Sequence, residues 1–260
     1  MKEKIYTIPV NEAFAVDCEC PMCLLEKRFE DEKLEYILGP SLMEPDTRKE
    51  TNKFGFCRRH FEMLYKKSDN RLGLALILDT HIRHHNSNMK KLCSGVYIPG
   101  GKSENRTALK GIKGLFSGLS SSPAGTGKAA EKLAEYISTL EQACYICTGL
   151  EYTMQRYVDV VLYLWEKETD FKEAFAARKG FCLRHFRELL EGADKYLRNQ
   201  PAAEFKRELI QIQLDNMERI SQEIFWFTKK FDYNNTNAPW GNSKDAVPRS
   251  IQKIAGWLDL

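Results

Sequence analysis

Apolar side chains recur every three or four residues along most of this chain, which is the spacing of one face of an α-helix. After the cysteine pair at 144–147, this spacing is carried by Leu150, Met154, Tyr157, Val158, Val161 and Trp165. Later in the chain, a longer stripe of about six turns comprises Ile210, Leu214, Met217, Ile220, Ile224, Phe227 and Phe231. Its counterpart in the first half carries Leu74, Leu78, Ile82, Met89 and Leu92. No segment alternates with the period of a β-strand, so the pattern predicts an all-α protein.

Helix-breaking residues divide these stripes. In the first half, Pro21 suits the first turn of a helix, Gly39-Pro40 ends that helix, and Gly55 precedes the next one. In the second half, Asp170 is placed to cap a short return helix, which Gly180 then ends. Both halves therefore predict a long helix, a shorter return segment and a further helix.

The two halves also share sequence. GFCRRHFEML at 55–64 and GFCLRHFREL at 180–189 are identical at seven of ten positions, and CPMC at 20–23 corresponds to CYIC at 144–147. Such a repeat indicates one supersecondary unit used twice. We therefore predict two tandem helical repeats that pack as a pseudo-symmetric helical bundle.

The predicted organisation has four parts. The first repeat covers 1–93 and the second covers 129–231. Between them, 94–128 is rich in Gly, Ser and Lys, a composition typical of a flexible connector. The tail at 232–260 is rich in turn-forming residues and ends in a short helix from about Pro248 to Leu258.

Cysteine and histidine supply the candidate chemistry. Residues three apart share a helix face, so each CxxC or CxxH pair presents two ligands from the start of a helix. We predict that each repeat closes on its own metal: the first site consists of Cys20, Cys23, Cys57 and His60, and the second of Cys144, Cys147, Cys182 and His185. Three thiolates and one imidazole are typical of tetrahedral, structural Zn²⁺, with two ions per chain. Arg59 and Arg184 are candidate donors to the thiolates, or simply exposed arginines.

Other interpretations of the cysteines stay open. The same ligands can hold an iron–sulfur cluster, and a CxxC at a helix start is also found in thiol oxidoreductases, although no βαβ pattern accompanies it here. Cys18 can substitute for a ligand or have no role, and Cys93 is solitary. His81 and His85 lie on one helical face and can bind a metal, but a buried, hydrogen-bonded role fits them better, as it does the neighbouring His84.

Composition limits the function. Charged residues make up 29% of the chain with a formal net charge of +3, which does not support a dedicated nucleic-acid binder. The first residues do not form a secretory signal, and no apolar run is long enough to cross a bilayer, so we expect a cytoplasmic protein without a membrane role. Without a catalytic constellation, the sequence favours a non-enzymatic protein that binds an unknown protein or peptide partner. The alternative is a thiol- or iron–sulfur-based sensor of redox state or metal.

Three segments resemble a known family: LMEPDTRKETNKFGFCRRHF, NRLGLALILDTH and KKFDYNNTNAPWGNSKDAVPRSI. They are similar to an uncharacterised family of bacterial proteins, found chiefly in Gram-positive anaerobes, with duplicated CxxC and GFCxRH motifs. Its members are sometimes labelled as substrate-binding proteins of ABC transporters, a label that implies an export signal or lipid-anchor cysteine not seen here. The resemblance spans nearly the whole chain and implies no particular mechanism.

Overall fold

The computed structural model describes residues 4–67, 71–94, 96 and 123–257. These residues form eleven α-helices and three short 3₁₀ segments, and none of them lies in a β-strand. The first six helices are α1 (Lys4–Ala15), α2 (Pro21–Leu38), α3 (Pro45–Phe54), α4 (Arg58–Lys67), α5 (Arg71–Leu92) and α6 (Pro123–Gln142). The remaining five are α7 (Tyr145–Lys167), α8 (Thr169–Ala176), α9 (Leu183–Tyr196), α10 (Asn199–Lys229) and α11 (Ala246–Ala255). The all-α prediction is confirmed.

The chain divides into two compact units. Unit 1 consists of Met1–Asp31 and Gly149–Leu260, and unit 2 consists of Glu32–Thr148. The unit boundaries fall inside α2 and α7, not between the two sequence repeats. Each unit therefore combines part of the first repeat with part of the second.

Unit 1 has a large core in which aromatic rings meet. Phe14 of α1 stacks on Phe175 of α8, and Phe175 contacts Phe181 and Phe205, with ring centroids 5.3 to 5.9 Å apart. This core also contains three cysteines, Cys20, Cys23 and Cys182, all fully buried. The ligand residues of this unit are thus part of its hydrophobic core.

Unit 2 is organised around α5, which packs against α3, α4 and α6. Two α5 histidines hold the end of α3: His81 Nδ1 lies 3.0 Å and His85 Nε2 lies 2.7 Å from the carbonyl oxygen of Asn52. His85 Nδ1 also contacts the Tyr136 hydroxyl of α6 at 2.5 Å. The preferred interpretation of these histidines, as hydrogen-bonded structural residues, agrees with these contacts.

Several predicted helix boundaries agree closely with the structure, and others do not. The helix that begins at Pro21 ends at Leu38, just before Gly39-Pro40, as predicted. Asp170 does not cap the return helix; Glu168 is the N-cap residue and Asp170 lies in the first turn. The last six residues of the predicted connector, 123–128, belong to α6, while 95 and 97–122 lie outside the described residues.

The predicted apolar face of α10 was wrong in part. Leu214 is 62% exposed, whereas the buried positions are Ala202, Phe205, Leu209, Ile212, Gln213 and Ile220. The helix begins eleven residues before the predicted stripe, at Asn199, and the buried face follows its earlier turns, where α9 packs against it. A stripe of apolar residues defines a helix but does not by itself decide which face is covered.

No helix within the described ranges combines the length and the apolar character that a bilayer crossing requires.

Replacing Gly192 with alanine should destabilise unit 1. A Cβ atom at this position of α9 would lie 2.3 Å from Val158 Cγ1 and 3.3 Å from Leu162 Cδ1. Overpacking of this kind costs about 1–3 kcal/mol, so we expect an earlier unfolding transition in urea, followed by circular dichroism. The control is Gly127→Ala in α6, where a Cβ meets nothing within 4 Å and should be neutral or stabilising. Equal stability of Gly192→Ala and the parent would contradict the close approach of Gly192 to Val158 and Leu162.

Candidate metal centres

Two clusters of cysteine and histidine can each hold a metal ion. Centre 1, in unit 1, consists of Cys20, Cys23, Cys182 and His185. Centre 2, in unit 2, consists of Cys57, His60, Cys144 and Cys147. Within each centre the four ligand atoms lie within 4.8 Å of one another. The prediction of two Cys₃His clusters is confirmed.

The predicted pairing of the ligands was wrong. The pair Cys20/Cys23 meets the CxxH pair of the second repeat, and Cys144/Cys147 meets the CxxH pair of the first. The physical reason lies in the helix lengths. At about 1.5 Å per residue, the 18 residues of α2 advance about 27 Å, whereas the 10 residues of α3 return only about 15 Å. As a helix, α3 therefore covers only about half of the distance back to the start of α2.

Centre 1 is held around the Nδ1 atom of His185. This nitrogen lies 3.6 Å from Cys20 Sγ, 3.4 Å from Cys23 Sγ and 3.2 Å from Cys182 Sγ. The sulfur atoms of Cys23 and Cys182 are 3.6 Å apart. All four side chains are buried.

Centre 2 has the same arrangement around His60. Its Nδ1 atom lies 3.2 Å from Cys57 Sγ, 3.2 Å from Cys144 Sγ and 3.4 Å from Cys147 Sγ. Cys57 Sγ and Cys147 Sγ are 3.8 Å apart. Here His60 and Cys144 are buried, Cys57 is half-buried and Cys147 is exposed.

These distances fit one tetrahedral ion in each centre. With Zn–S bonds of about 2.3 Å and Zn–N bonds of about 2.0 Å, neighbouring ligand atoms lie about 3.8 Å apart for two sulfurs and about 3.5 Å apart for sulfur and nitrogen. The separations of 3.2–3.8 Å between ligand atoms in the two centres are close to these values. Both centres therefore have the donor atoms and the spacing for a zinc-like ion.

Helix starts position the ligands, as predicted. Cys20 immediately precedes α2 and Cys144 immediately precedes α7, while the second cysteine of each pair lies in the first turn. Cys57 immediately precedes α4, and Cys182 is the N-cap residue of α9. The positive end of each helix dipole thus points at the thiolates and stabilises their negative charge.

Acidic side chains surround the free nitrogen of His185. Its Nε2 atom lies 3.7 Å from Glu26 Oε2 and 3.9 Å from Glu188 Oε2. Coordination through Nδ1 leaves the proton on Nε2, where nearby carboxylates orient the ring. Arg184 forms an ion pair with Glu26, and its Nη2 atom also lies 3.1 Å from His185 Nε2, whereas Arg59 is exposed.

Buried polar residues hold the two ligand segments of centre 1 together. Lys253 Nζ of α11 donates to the carbonyl oxygen of Glu19 at 2.8 Å and to that of Lys179 at 2.5 Å. Gln213 of α10 bonds both polar groups of the Phe181 peptide, accepting from its N–H at 2.9 Å and donating to its carbonyl at 3.0 Å. Neither residue was predicted from the sequence, although a polar side chain inside an apolar stripe is a signal that could have found Gln213.

The Glu19 carboxylate ties these helices to the cysteine pair. It is 3% exposed and receives Lys253 Nζ at 2.9 Å and Arg219 at 2.6 Å. Arg249 approaches the same carboxylate at 3.4 Å. Since Glu19 directly precedes Cys20, this network positions the first ligand from α10 and α11.

Thiol acidity differs within each centre. Burial, together with contacts to Cys182 and Cys23, raises the pKa of Cys20, and contact with Cys182 raises the pKa of Cys23 to about 12. The contacts from Cys20 and Cys23 lower the pKa of Cys182. In centre 2, burial opposes ionisation, but contact with His60 lowers the pKa of Cys144 to about 6. A raised pKa keeps a proton on the thiol at neutral pH, so metal binding must release protons and weaken as the pH falls.

The other candidate ligands lie outside both centres. Among the described residues, Cys18, Cys93, His81, His84 and His85 belong to neither cluster. Cys18 is half-buried, and burial raises the pKa of its thiol. None of these residues therefore replaces a ligand in this arrangement.

Compared with families of known proteins, residues 1–259 match a family described as "Family of unknown function (DUF6062)". The chain belongs to this family. No curated protein and no solved structure matched the chain. The family assignment agrees with the resemblance in the sequence and adds no activity, so function must be argued from the two centres.

Paired substitutions will test which ligands share an ion. Cys20→Ser/Cys182→Ser removes two ligands of centre 1, so the chain should retain one metal ion at centre 2. Cys20→Ser/Cys57→Ser damages both centres and should retain none. Elemental analysis of the purified variants measures this, with Cys93→Ser as the control that keeps both ions. If Cys20→Ser/Cys57→Ser kept one ion and Cys20→Ser/Cys182→Ser kept none, each repeat would bind its own ion instead.

Lys253→Met should weaken metal binding at centre 1 selectively. The variant loses the bond that joins the Glu19 and Lys179 carbonyls, so we expect an affinity lower by about 10–100-fold. Competition with a chelator of known affinity measures the effect on each ion. Lys244→Met, at an exposed position of the same segment, is the matched control. If Lys253→Met bound the ion of centre 1 as tightly as the control does, Lys253 would not position the ligands of this centre.

Proposed function

We propose that this chain is a cytoplasmic, non-enzymatic zinc protein that binds a protein or peptide partner, with two structural Zn²⁺ ions per chain. Each ion joins the starts of two helices that are far apart in the sequence. The observation that carries the proposal is the pair of Cys₃His clusters, whose ligand atoms lie within 4.8 Å of one another. Thiolates gathered around a metal suit a reducing compartment.

The ligand count supports a structural role. Catalytic zinc sites commonly use three protein ligands and keep a fourth position for water or substrate. Each centre here offers four protein ligands with near-tetrahedral spacing. An ion bound by all four has its coordination filled, so its contribution is to folding free energy.

The spacing also favours a single ion over an iron–sulfur cluster. In a four-iron cluster the protein ligands bind different iron atoms, which holds the ligand atoms farther apart than four ligands on one ion. Separations of 3.6 Å between Cys23 and Cys182 and 3.8 Å between Cys57 and Cys147 match ligands that share one ion. This supports zinc as the resident metal.

Exposed apolar side chains in unit 1 support a binding role. Leu214 is 62% and Phe225 59% exposed on α10, and Phe231 just beyond it is 75% exposed. Exposed apolar side chains of this size are candidate contacts for a partner. A protein or peptide partner that covers such side chains fits the proposal.

Metal quantification tests the proposal directly. We expect about two zinc ions per chain after anaerobic purification, as the two centres imply. Stripping the metal with a chelator should lower the thermal unfolding midpoint, and adding Zn²⁺ back should restore it, because binding free energy stabilises the folded state. Metal-free protein with all eight thiols freely titratable would refute the proposal. Cys18→Ser, outside both centres, is the control that should keep both ions.

A second candidate function is a sensor of redox state or metal that uses the thiols themselves. The exposure of Cys147 favours it: burial and the neighbouring Cys144 and Cys57 raise the pKa of this thiol, but a bound metal would displace its proton, and an accessible thiolate reacts with oxidants more readily than an enclosed one. Visible absorbance after anaerobic purification would support the cluster version of this function. Colourless protein that keeps all its zinc in peroxide would exclude both the iron–sulfur sensor and the thiol-based sensor.

A further inference from the structure

The two centres have the same ligands but different access to solvent. In centre 1 the three cysteines have no exposed surface and His185 is 1% exposed. In centre 2 only His60 and Cys144 are buried, while Cys57 is half-buried and Cys147 is exposed. With a metal bound, all three cysteines in either centre are thiolates, so exposure decides which of them an external reagent reaches.

Centre 1 is enclosed by unit 1 itself. Its cysteines lie within the hydrophobic core, beside Phe14 and Phe181. The end of α11 covers them: Gly256 has φ +87, and a Cβ added there would lie 3.8 Å from the sulfur atoms of both Cys23 and Cys182. A reagent can reach this centre only if part of this enclosure opens.

We propose that Cys147 is an oxidation site for hydroperoxides, and that it forms a disulfide with Cys57 that releases the ion of centre 2 while centre 1 keeps its own. The proposal rests on the proposed function, because it requires a metal in both centres. Cys57 is the partner because its sulfur lies 3.8 Å from that of Cys147 and the residue is only half-buried, whereas Cys144 is 4% exposed. Disulfide formation requires these sulfur atoms to approach to about 2.05 Å, a movement of about 2 Å.

The reaction balances with one hydroperoxide. The Cys147 thiolate attacks one peroxide oxygen, so an S–O bond forms, the O–O bond breaks and hydroxide or alkoxide leaves. The Cys57 thiolate then attacks the Cys147 sulfur, the S–S bond forms and hydroxide leaves. The two sulfurs lose two electrons, which the peroxide gains, and two protons from solvent neutralise the leaving groups. The ion is left with His60 and Cys144, and two ligands do not retain it.

Release of this ion would loosen unit 2 locally. The metal joins the start of α4 to the start of α7, and the backbone bond from Tyr145 N–H to the Gly55 carbonyl, 3.0 Å long, remains between the same segments. One hydrogen bond stabilises this contact less than a four-coordinate ion does. Oxidation would thus make the starts of α4 and α7 less ordered and leave the core of unit 1 intact.

The experiment uses the zinc-loaded full chain and hydrogen peroxide. A zinc-binding dye follows metal release, and mass spectrometry after alkylation maps the disulfide. We expect one zinc equivalent to leave at least about ten times faster than the second, together with a Cys57–Cys147 disulfide. Reduction followed by added Zn²⁺ should restore the original metal content.

Variants identify which centre releases its zinc first, in what we call the fast phase. Cys20→Ser/Cys182→Ser lacks centre 1 and should keep the fast phase, whereas Cys57→Ser/Cys147→Ser should lose it. Cys93→Ser, a half-buried thiol of unit 2 outside both centres, should behave like the parent. If the centre 1 variant fails to fold, peptide mapping of the parent alone still identifies the oxidised cysteines.

The possible failures differ from one another. Protein purified without zinc would defeat the proposed function itself. Zinc-loaded protein that releases both ions at one rate, releases none, or forms a disulfide between Cys144 and Cys147 would leave the proposed function intact and overturn the assignment of Cys147 and Cys57.

Discussion

The meeting of a CxxC pair with a distant CxxH pair is the contact on which both units depend. In centre 1, Cys20 and Cys23 contact Cys182 and His185 across 159 to 165 residues of sequence, and in centre 2 the contacts span 84 to 90 residues. Loops of this length cost conformational entropy, which packing and ligand binding must offset. A metal ion that binds four ligands at once contributes most where such distant segments must be held together.

Protein contacts also hold the two ligand segments of centre 1 together. Lys253 joins the backbone before Cys20 to the backbone before Cys182, and Gln213 bonds the peptide of Phe181 on both sides. The charged groups involved are buried and paired, which is the condition under which burial of charge is tolerated. Contacts that hold two ligand segments side by side lower the entropy cost of bringing four ligands to one ion.

The same ligand set has different consequences in the two units because its surroundings differ. Enclosure by aromatic side chains and by the end of α11 makes centre 1 part of a core, where exchange of metal requires the core to open. Centre 2 lies at the starts of α4 and α7, and one of its cysteines, Cys147, is exposed. The duplicated motif therefore places one ligand set inside a buried core and leaves the other partly exposed.

Local sequence determined the helices and the ligand pairs, and the tertiary structure decided how they combine. Pro21 and Gly39-Pro40 set the ends of α2, and each CxxC or CxxH pair lies at a helix start, because helix capping and three-residue spacing are local properties. Which pairs share an ion depends on helix lengths and packing over more than eighty residues, and the repeat wrongly suggested that each copy closes on itself. The roles of Lys253 and Gln213 arise the same way, since a buried polar residue is recognised only once the backbone groups that it bonds are brought beside it.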